Sequence, residues 1–188
     1  MYRRLICAIG AFCLAHSAWA QDLDINLDGD TVQFVYGNAV AKHSPHNNTV
    51  IRGSALFTTR GDFLFGAGLR LQGDAGTGSP GLRVGMGARL FAGRVHTKGA
   101  MALALDGSAQ YNPPPLSRLA IGAELYYAPG VLSFIDATSL LQAMLRVGYE
   151  VLPDSYVYVG LRTIRVGISG RSSKTVDSGV VAGLNIHF

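Results

Sequence analysis

Nine charged residues, Arg70, Arg83, Arg89, Asp106, Arg118, Glu124, Arg146, Glu150 and Arg162, stand on the polar side of segments in which apolar and polar residues alternate. Alternation with a period of two puts such residues on one face of a β-strand. Gathered on the inner face of one closed sheet, six arginines and three carboxylates could do two kinds of work. They could pair into a network that fills and stiffens an interior, because a lone buried charge is costly. They could instead form a basic constriction that attracts anions. Small closed barrels are generally filled by side chains, which argues for a plug, whereas the excess of arginine argues for anion attraction.

Other reactive side chains offer less. His43 and His46 have a His-x-x-His spacing, but metal binding would need a third ligand and no Asp or Glu adjoins them. The expectation is a solvated loop and no metal site. His96, in a short connection, and His187, beside the terminus, read as structural. Ser44 next to His43 is the adjacent Ser/His pair of the exported part, and it lacks an acid partner, so the nucleophile, base and orienting acid of a hydrolase are not assembled. The glycines at 66–68, 73–81 and 85–87 are not followed by helical patterns, which excludes a phosphate loop. On a crowded inner face they would make room for long side chains from neighbouring strands. No enzyme activity, cofactor or nucleic-acid partner is expected.

The elements that must position the charges are strands. In segment 139–151, Leu141, Ala143, Leu145, Val147, Tyr149 and Val151 share one face, opposite Gln142, Met144, Arg146, Gly148 and Glu150. Segments 63–72, 82–91, 99–111 and 117–127 repeat the pattern. Turn formers separate them: Asp28-Gly29, Arg60-Gly61-Asp62, the glycine-rich 73–81, Pro113-Pro114-Pro115, Pro153-Asp154 and the polar stretch 170–178. Clear strands at 154–168 and 179–188 and weaker ones at 22–28, 31–40 and 49–59 bring the total to about ten successive strands. The weakest is 49–59, since Arg52 shares a face with Val50 and Leu56. Eight strands result if the two N-terminal runs stay outside the wall. Either number is even, as termini on one side of a membrane require.

Composition selects the surroundings of this sheet. The chain has 188 residues, of which 48% are hydrophobic and 15% charged, whereas soluble domains carry about 25% charged residues. Residues 1–20 read as a signal peptide: Arg3 and Arg4, an apolar run from Leu5 to Ala15, and Ala18-Trp19-Ala20 as a cleavage site. Cys7 and Cys13 both fall inside it, so disulfides and thiolate chemistry are excluded from the exported part. Losing Arg3 and Arg4 halves the formal net charge of +4. No later run is long and apolar enough for a helical membrane span. If the apolar faces pointed inward, glycine, alanine and sparse charges would make a poor soluble surface. With those faces turned toward lipid, the pattern describes an all-β, transmembrane, antiparallel up-and-down β-barrel over residues 21–188.

Val180, Ala182, Leu184, Ile186 and Phe188 share one face of the last segment, and Gly183, Ile186 and Phe188 fit a signal read by the outer-membrane assembly machinery. Several stretches carry a likeness to a known family: Gly122-Ala123-Glu124-Leu125-Tyr126-Tyr127-Ala128-Pro129, Arg146-Val147-Gly148-Tyr149-Glu150-Val151-Leu152-Pro153, Tyr158-Val159-Gly160-Leu161-Arg162 and, near the start, Leu23-Asp24-Ile25-Asn26-Leu27 with Asp30-Thr31-Val32. The chain resembles the YfaZ-type outer-membrane proteins over most of its exported length, least between about 40 and 80. The resemblance implies a Gram-negative outer-membrane barrel and supplies no activity. The expected function is that of a structural or interaction protein with a charge-plugged lumen, the alternatives being a narrow anion-preferring pore and, more remotely, a lipid-acting enzyme. Its partners would be outer-membrane lipids, lipopolysaccharide and the assembly machinery, with loops 43–48, 129–138 and 170–178 as possible contacts.

Overall fold

The computed structural model describes residues 21–44, 47–76, 78–95, 97–169 and 174–188, apart from the side chains of Ser44 and Lys174. The signal peptide, His46 and His96 lie outside the described residues. The strands are β1 (Gln21–Leu27), β2 (Thr31–Ser44), β3 (Asn47–Thr58), β4 (Phe63–Asp74), β5 (Leu82–Val95), β6 (Lys98–Tyr111), β7 (Leu119–Ala128), β8 (Ser133–Ile135), β9 (Ala137–Leu152), β10 (Ser155–Ile168) and β11 (Lys174–His187). Pro129 and a 3₁₀ turn, Gly130–Leu132, interrupt the seventh wall strand, which resumes as β8 beside Ala100–Ala102 of β6. β7 and β8 therefore share one position, and the wall has ten strands, each antiparallel to the next.

The wall closes where β1 pairs with β11, from Asp22 opposite His187 to Leu27 opposite Ala182. Beyond that ladder the Gln21 N–H donates to the Phe188 carbonyl at 2.7 Å, and the Phe188 N–H donates back at 2.9 Å. Closure satisfies the backbone groups that an open edge would leave bare in lipid. Along each strand the alternate apolar residues point outward: Phe65, Leu69, Met86, Leu105, Leu125, Leu145, Leu161 and Val180 are all exposed on the outer wall. Exposed to water this belt would be unfavourable; facing hydrocarbon it is the stabilising surface of a membrane barrel.

All strands foreseen from the alternation are present, and most run further than their apolar pattern. Ladder hydrogen bonds need only backbone, so pairing continues into polar residues: β2 reaches Ser44, β3 starts at Asn47 and β11 starts at Lys174. The three expected loops shrink accordingly, and they do not share one end. Residues 75–76, 78–81, 112–118 and 153–154 lie at the end that holds both termini, while 28–30, 59–62 and 136 lie at the opposite, distal end.

The interior corrects a second expectation. In its distal half much of the inner face is apolar: Leu56, Leu64, Phe91, Val95, Leu140, Ile164 and Val166 pack together inside the wall, beside the buried Thr31, Gln33, Arg162 and Asp177. Phe91 meets Tyr126 edge-on with ring centroids 5.8 Å apart. On β11 a bulge leaves Val176 without a partner between Thr175 and Asp177, so that both Val176 and Asp177 are buried. The ambiguity of β3 is thereby resolved, because Val50, Arg52 and Leu56 all face inward.

Candidate functional site in the barrel lumen

β1 carries Asp22, Asp24 and Asn26 on its inner face and is followed directly by Asp28, so a polar group recurs at every second residue. Each is held by strands on other parts of the wall. Asp22 Oδ1 accepts from the Asn185 side-chain amide of β11 at 2.6 Å. Asp24 Oδ1 accepts from the Tyr158 hydroxyl of β10 at 2.6 Å, and its Oδ2 accepts from Arg146 of β9 at 2.7 Å. Arg162 of β10, fully buried, reaches across the closing seam and donates to Asp177 at 2.5 Å, to Asp28 and Gln33 at 3.1 Å each, and to Asn26. Asp28 Oδ1 also accepts the backbone N–H groups of Asp30 and Thr31, both at 2.8 Å, which fixes the β1–β2 turn. The short β1–β11 ladder is thus reinforced by side chains crossing it.

A second cluster spans the middle of the lumen. Glu124 of β7 accepts on Oε1 from Arg52 at 3.0 Å and Arg70 at 3.3 Å, with Arg146 at 3.9 Å, and on Oε2 from the Tyr126 hydroxyl at 2.8 Å. Arg70 also donates to Asp106 at 2.9 Å and to the Tyr126 hydroxyl at 2.6 Å. Charge-assisted bonds of this kind, with few lone pairs left over, are the arrangement that offsets the cost of burying ions.

Glycines create the space for these arginines. A Cβ on Gly85 would meet Arg70 Cδ at 3.0 Å, one on Gly66 would meet Arg89 Cδ at 3.0 Å, and one on Gly122 would meet Arg146 Nε at 3.0 Å. Gly183 has the same task for Tyr158: an added Cβ would lie 2.3 Å from the ring and 2.4 Å from the hydroxyl. Gly183→Ala is expected to push Tyr158 off Asp24 and destabilise the barrel by roughly 2–4 kcal/mol, from overpacking and a lost charge-assisted bond together. Tyr158→Ala in the same chain should relieve the part of the overpacking that comes from the ring, leaving the contact with the Ile25 carbonyl, 2.8 Å from the added Cβ. A double-mutant cycle on urea unfolding checks this, and strictly additive losses would show that the two residues do not meet.

Between the charge layer and the terminus end lies an open vestibule of ≈160 Å³. Asn48, Gln72, Gln110, Asn185 and His187 line it, and Arg52, Arg70, Glu124 and Arg146 form its floor. On the other side of that floor the apolar packing begins.

Of the nine residues singled out by alternation, Arg70, Asp106, Glu124 and Arg146 meet in the central cluster, and Arg162 sits in the seam cluster. Arg89 is buried beside the central cluster, its guanidinium 4.6 Å from the centre of the Tyr126 ring. Three stand apart. Arg83 pairs with Asp74 at 3.5 Å at the exposed mouth. Arg118 precedes β7 in the 112–118 connection and is exposed. Glu150 accepts the Asp154 N–H at 3.2 Å in the β9–β10 turn. Arg83 and Glu150 keep the inward parity but lie beyond the enclosed lumen, because parity sets the face and not the depth; Arg118, outside the strand, bonds to the outward-facing Tyr149 side chain instead. Arg52, Asp22, Asp24, Asp28, Asp177, Tyr126 and Tyr158 are additional members of the two clusters. The alternate polar residues of 22–28 were the available signal for the β1 set; Asp177 had none, since a bulge sets its direction.

His43 Nε2 lies 2.8 Å from Thr49 Oγ1 across the β2–β3 hairpin. Ile186 and Phe188 are on the outer wall of β11, with Phe188 pairing to Gln21 at the seam.

The YfaZ precursor family matches the sequence over residues 3–188. No curated protein matches it. Among solved structures the fold is similar to the KdgM porin, at 13% identity and a TM-score of 0.53, with 90% of this chain and 99% of that chain covered. The KdgM porin in complex with disordered oligogalacturonate is similar to the same extent, at 13% identity, a TM-score of 0.52 and the same coverage. At this identity the likeness is one of fold.

Proposed function

The chain belongs to the YfaZ precursor family, and on that premise we propose that this outer-membrane β-barrel works as a non-conducting structural or interaction protein. One observation carries the reading: the lumen is crossed by the Glu124-centred charge layer and then filled by apolar side chains from Leu56 to Val166. Ions entering the vestibule meet a floor of paired charges and, behind it, a largely apolar packing that solvates a passing ion poorly. The charge balance supports the same conclusion. Arg52, Arg70, Arg146 and Arg162 are paired with Asp22, Asp24, Asp28, Asp106, Glu124 and Asp177, so little of the arginine excess suggested by alternation alone remains. The belt then contacts outer-membrane lipids, and the distal turns are the surface offered to lipopolysaccharide or another protein. The terminal Gly183, Ile186 and Phe188 serve recognition by the assembly machinery.

A narrow anion-preferring channel is the second reading, favoured by the arginines in the vestibule floor and at its mouth. Planar-bilayer recording separates the two. Barrel extracted from outer membranes, and shown to be folded by its faster migration on unheated gels, is expected to give no steady conductance. Steady anion-selective current would overturn the closed-lumen reading in favour of the channel.

A further inference from the structure

Arg89 is 2% exposed and has no carboxylate partner among the described residues, and its Nε and Nη2 atoms make no hydrogen bond to them. Its guanidinium lies over the rings of Tyr126 and Phe91, at 4.6 and 5.8 Å from their centres. Among the other buried polar atoms without hydrogen bonds are Nε of Arg52 and Oε1 of Gln142. All three residues line one cavity of ≈20 Å³ beneath the vestibule floor. About 10–15 Å³ measured this way suffices for a water-sized occupant.

The occupant that fits is set by charge. Arginine does not deprotonate in proteins, so burial cannot neutralise Arg89, and a guanidinium without a counter-ion in a low dielectric is costly. The carboxylates that also face the cavity, Asp24 and Glu124, are already engaged. Asp24 holds Arg146, Tyr158 and Asn26, and Glu124 holds Arg52, Arg70 and Tyr126. With Asp106 on Arg70, the buried layer has four guanidinium groups, Arg52, Arg70, Arg89 and Arg146, for three carboxylates. Asp22, 3.8 Å from Arg52, is on the vestibule side with its side chain 24% exposed, where water screens it. A bound water could satisfy hydrogen bonds but not the missing charge.

We propose that this cavity binds a single halide-sized anion against Arg89, with Arg52 Nε completing the shell. The anion is a structural counter-ion enclosed by the lumen, reached from the vestibule when Arg52 or Arg146 swings off Glu124. Its binding is independent of whether the barrel conducts, so the two are tested separately.

The probe is bromide. Crystals of the barrel grown in sodium bromide should show one anomalous peak within about 3–4 Å of the Arg89 guanidinium, a hydrogen-bonding distance lengthened for a large anion. In detergent, the unfolding midpoint should rise with sodium bromide relative to sodium gluconate of equal ionic strength, whose anion is too large for the cavity, because a ligand that binds only the folded state stabilises it. Arg89→Met removes the charge while filling the space, and should abolish both the peak and the bromide dependence. Water in the cavity with no anomalous peak, or equal midpoints in the two salts for the parent protein, overturns the proposal. The measurements on the parent protein decide the matter even if the variant does not fold.

Discussion

Arg162→Ala is expected to cause the largest loss of stability of any single substitution in the lumen. The side chain is fully buried and ties Asp28, Asn26 and Gln33 of the first hairpin to Asp177 of the last strand. Removing it leaves Asp28 and Asp177 enclosed without their cation, and Asn26 and Gln33 without their donor. Breaking a buried pair by deleting one member costs about 3–5 kcal/mol, far more than the pair contributes against an apolar replacement. The position adds to this. β1 pairs with β11 over a short ladder, and Arg162 crosses that seam, so its loss weakens the one contact that closes the sheet. Urea unfolding in detergent or lipid should show a midpoint lowered by this amount, with folded yield from refolding reduced in parallel. A wild-type midpoint for Arg162→Ala would mean that the seam clamp contributes nothing. Arg162→Lys should recover little, because a point charge cannot serve four acceptors spread around a planar fork.

Glu124→Ala comes second, with an expected loss of about 3 kcal/mol, the lower end of the range for a broken buried pair. Glu124 is the common partner of Arg52 and Arg70, lies near Arg146, and accepts from Tyr126. Deleting it leaves three guanidinium groups facing one another. The loss is smaller than for Arg162 because the side chain is 16% exposed to the vestibule, from which water can partly solvate the orphaned arginines. Glu124→Gln, which keeps an acceptor and loses the charge, should fall between the parent and the alanine variant. The experiment also bears on the state of the lumen. A fully water-filled bore would screen these groups, and the loss would shrink toward the roughly 0–1 kcal/mol typical of exposed pairs. Unfolding midpoints and bilayer currents recorded on the same variants therefore test one consistent picture, in which large destabilisation accompanies electrical silence in the parent.

Much of this molecule was legible before any coordinates. A period of two reports which residues share a face, so Leu145 and Val147 could be set toward lipid and Arg146 and Gly148 toward the interior. Turn residues divided the alternating runs into ten wall strands, and the small residues on the inner face foretold the room that Gly66, Gly85 and Gly122 make for arginines. Arg83, Arg118 and Glu150 mark where that reading stops. Arg83 and Glu150 have the right parity, yet the enclosed lumen ends before it reaches them, and depth along a strand depends on where the neighbouring strands begin and end; Arg118 lies outside its strand and bonds to the outward-facing Tyr149.

The sequence by itself determined the strands, their order and the face turned toward lipid, because these follow from backbone pairing and local side-chain period. Only the closed tertiary structure decided which inward residues touch. Closure brings β1 against β11 across nearly the whole length of the chain, so Asp24 meets Arg146 and Tyr158, and Asn26 and Asp28 meet Arg162. Strand stagger sets the depth at which Arg52, Arg70 and Glu124 converge from three strands, and one bulge at Val176 turns Asp177 inward. The apolar filling behind them was equally hidden, since Leu56 or Ile164 looks like a lipid-facing residue until closure packs it inside the wall with Leu64, Phe91 and Leu140.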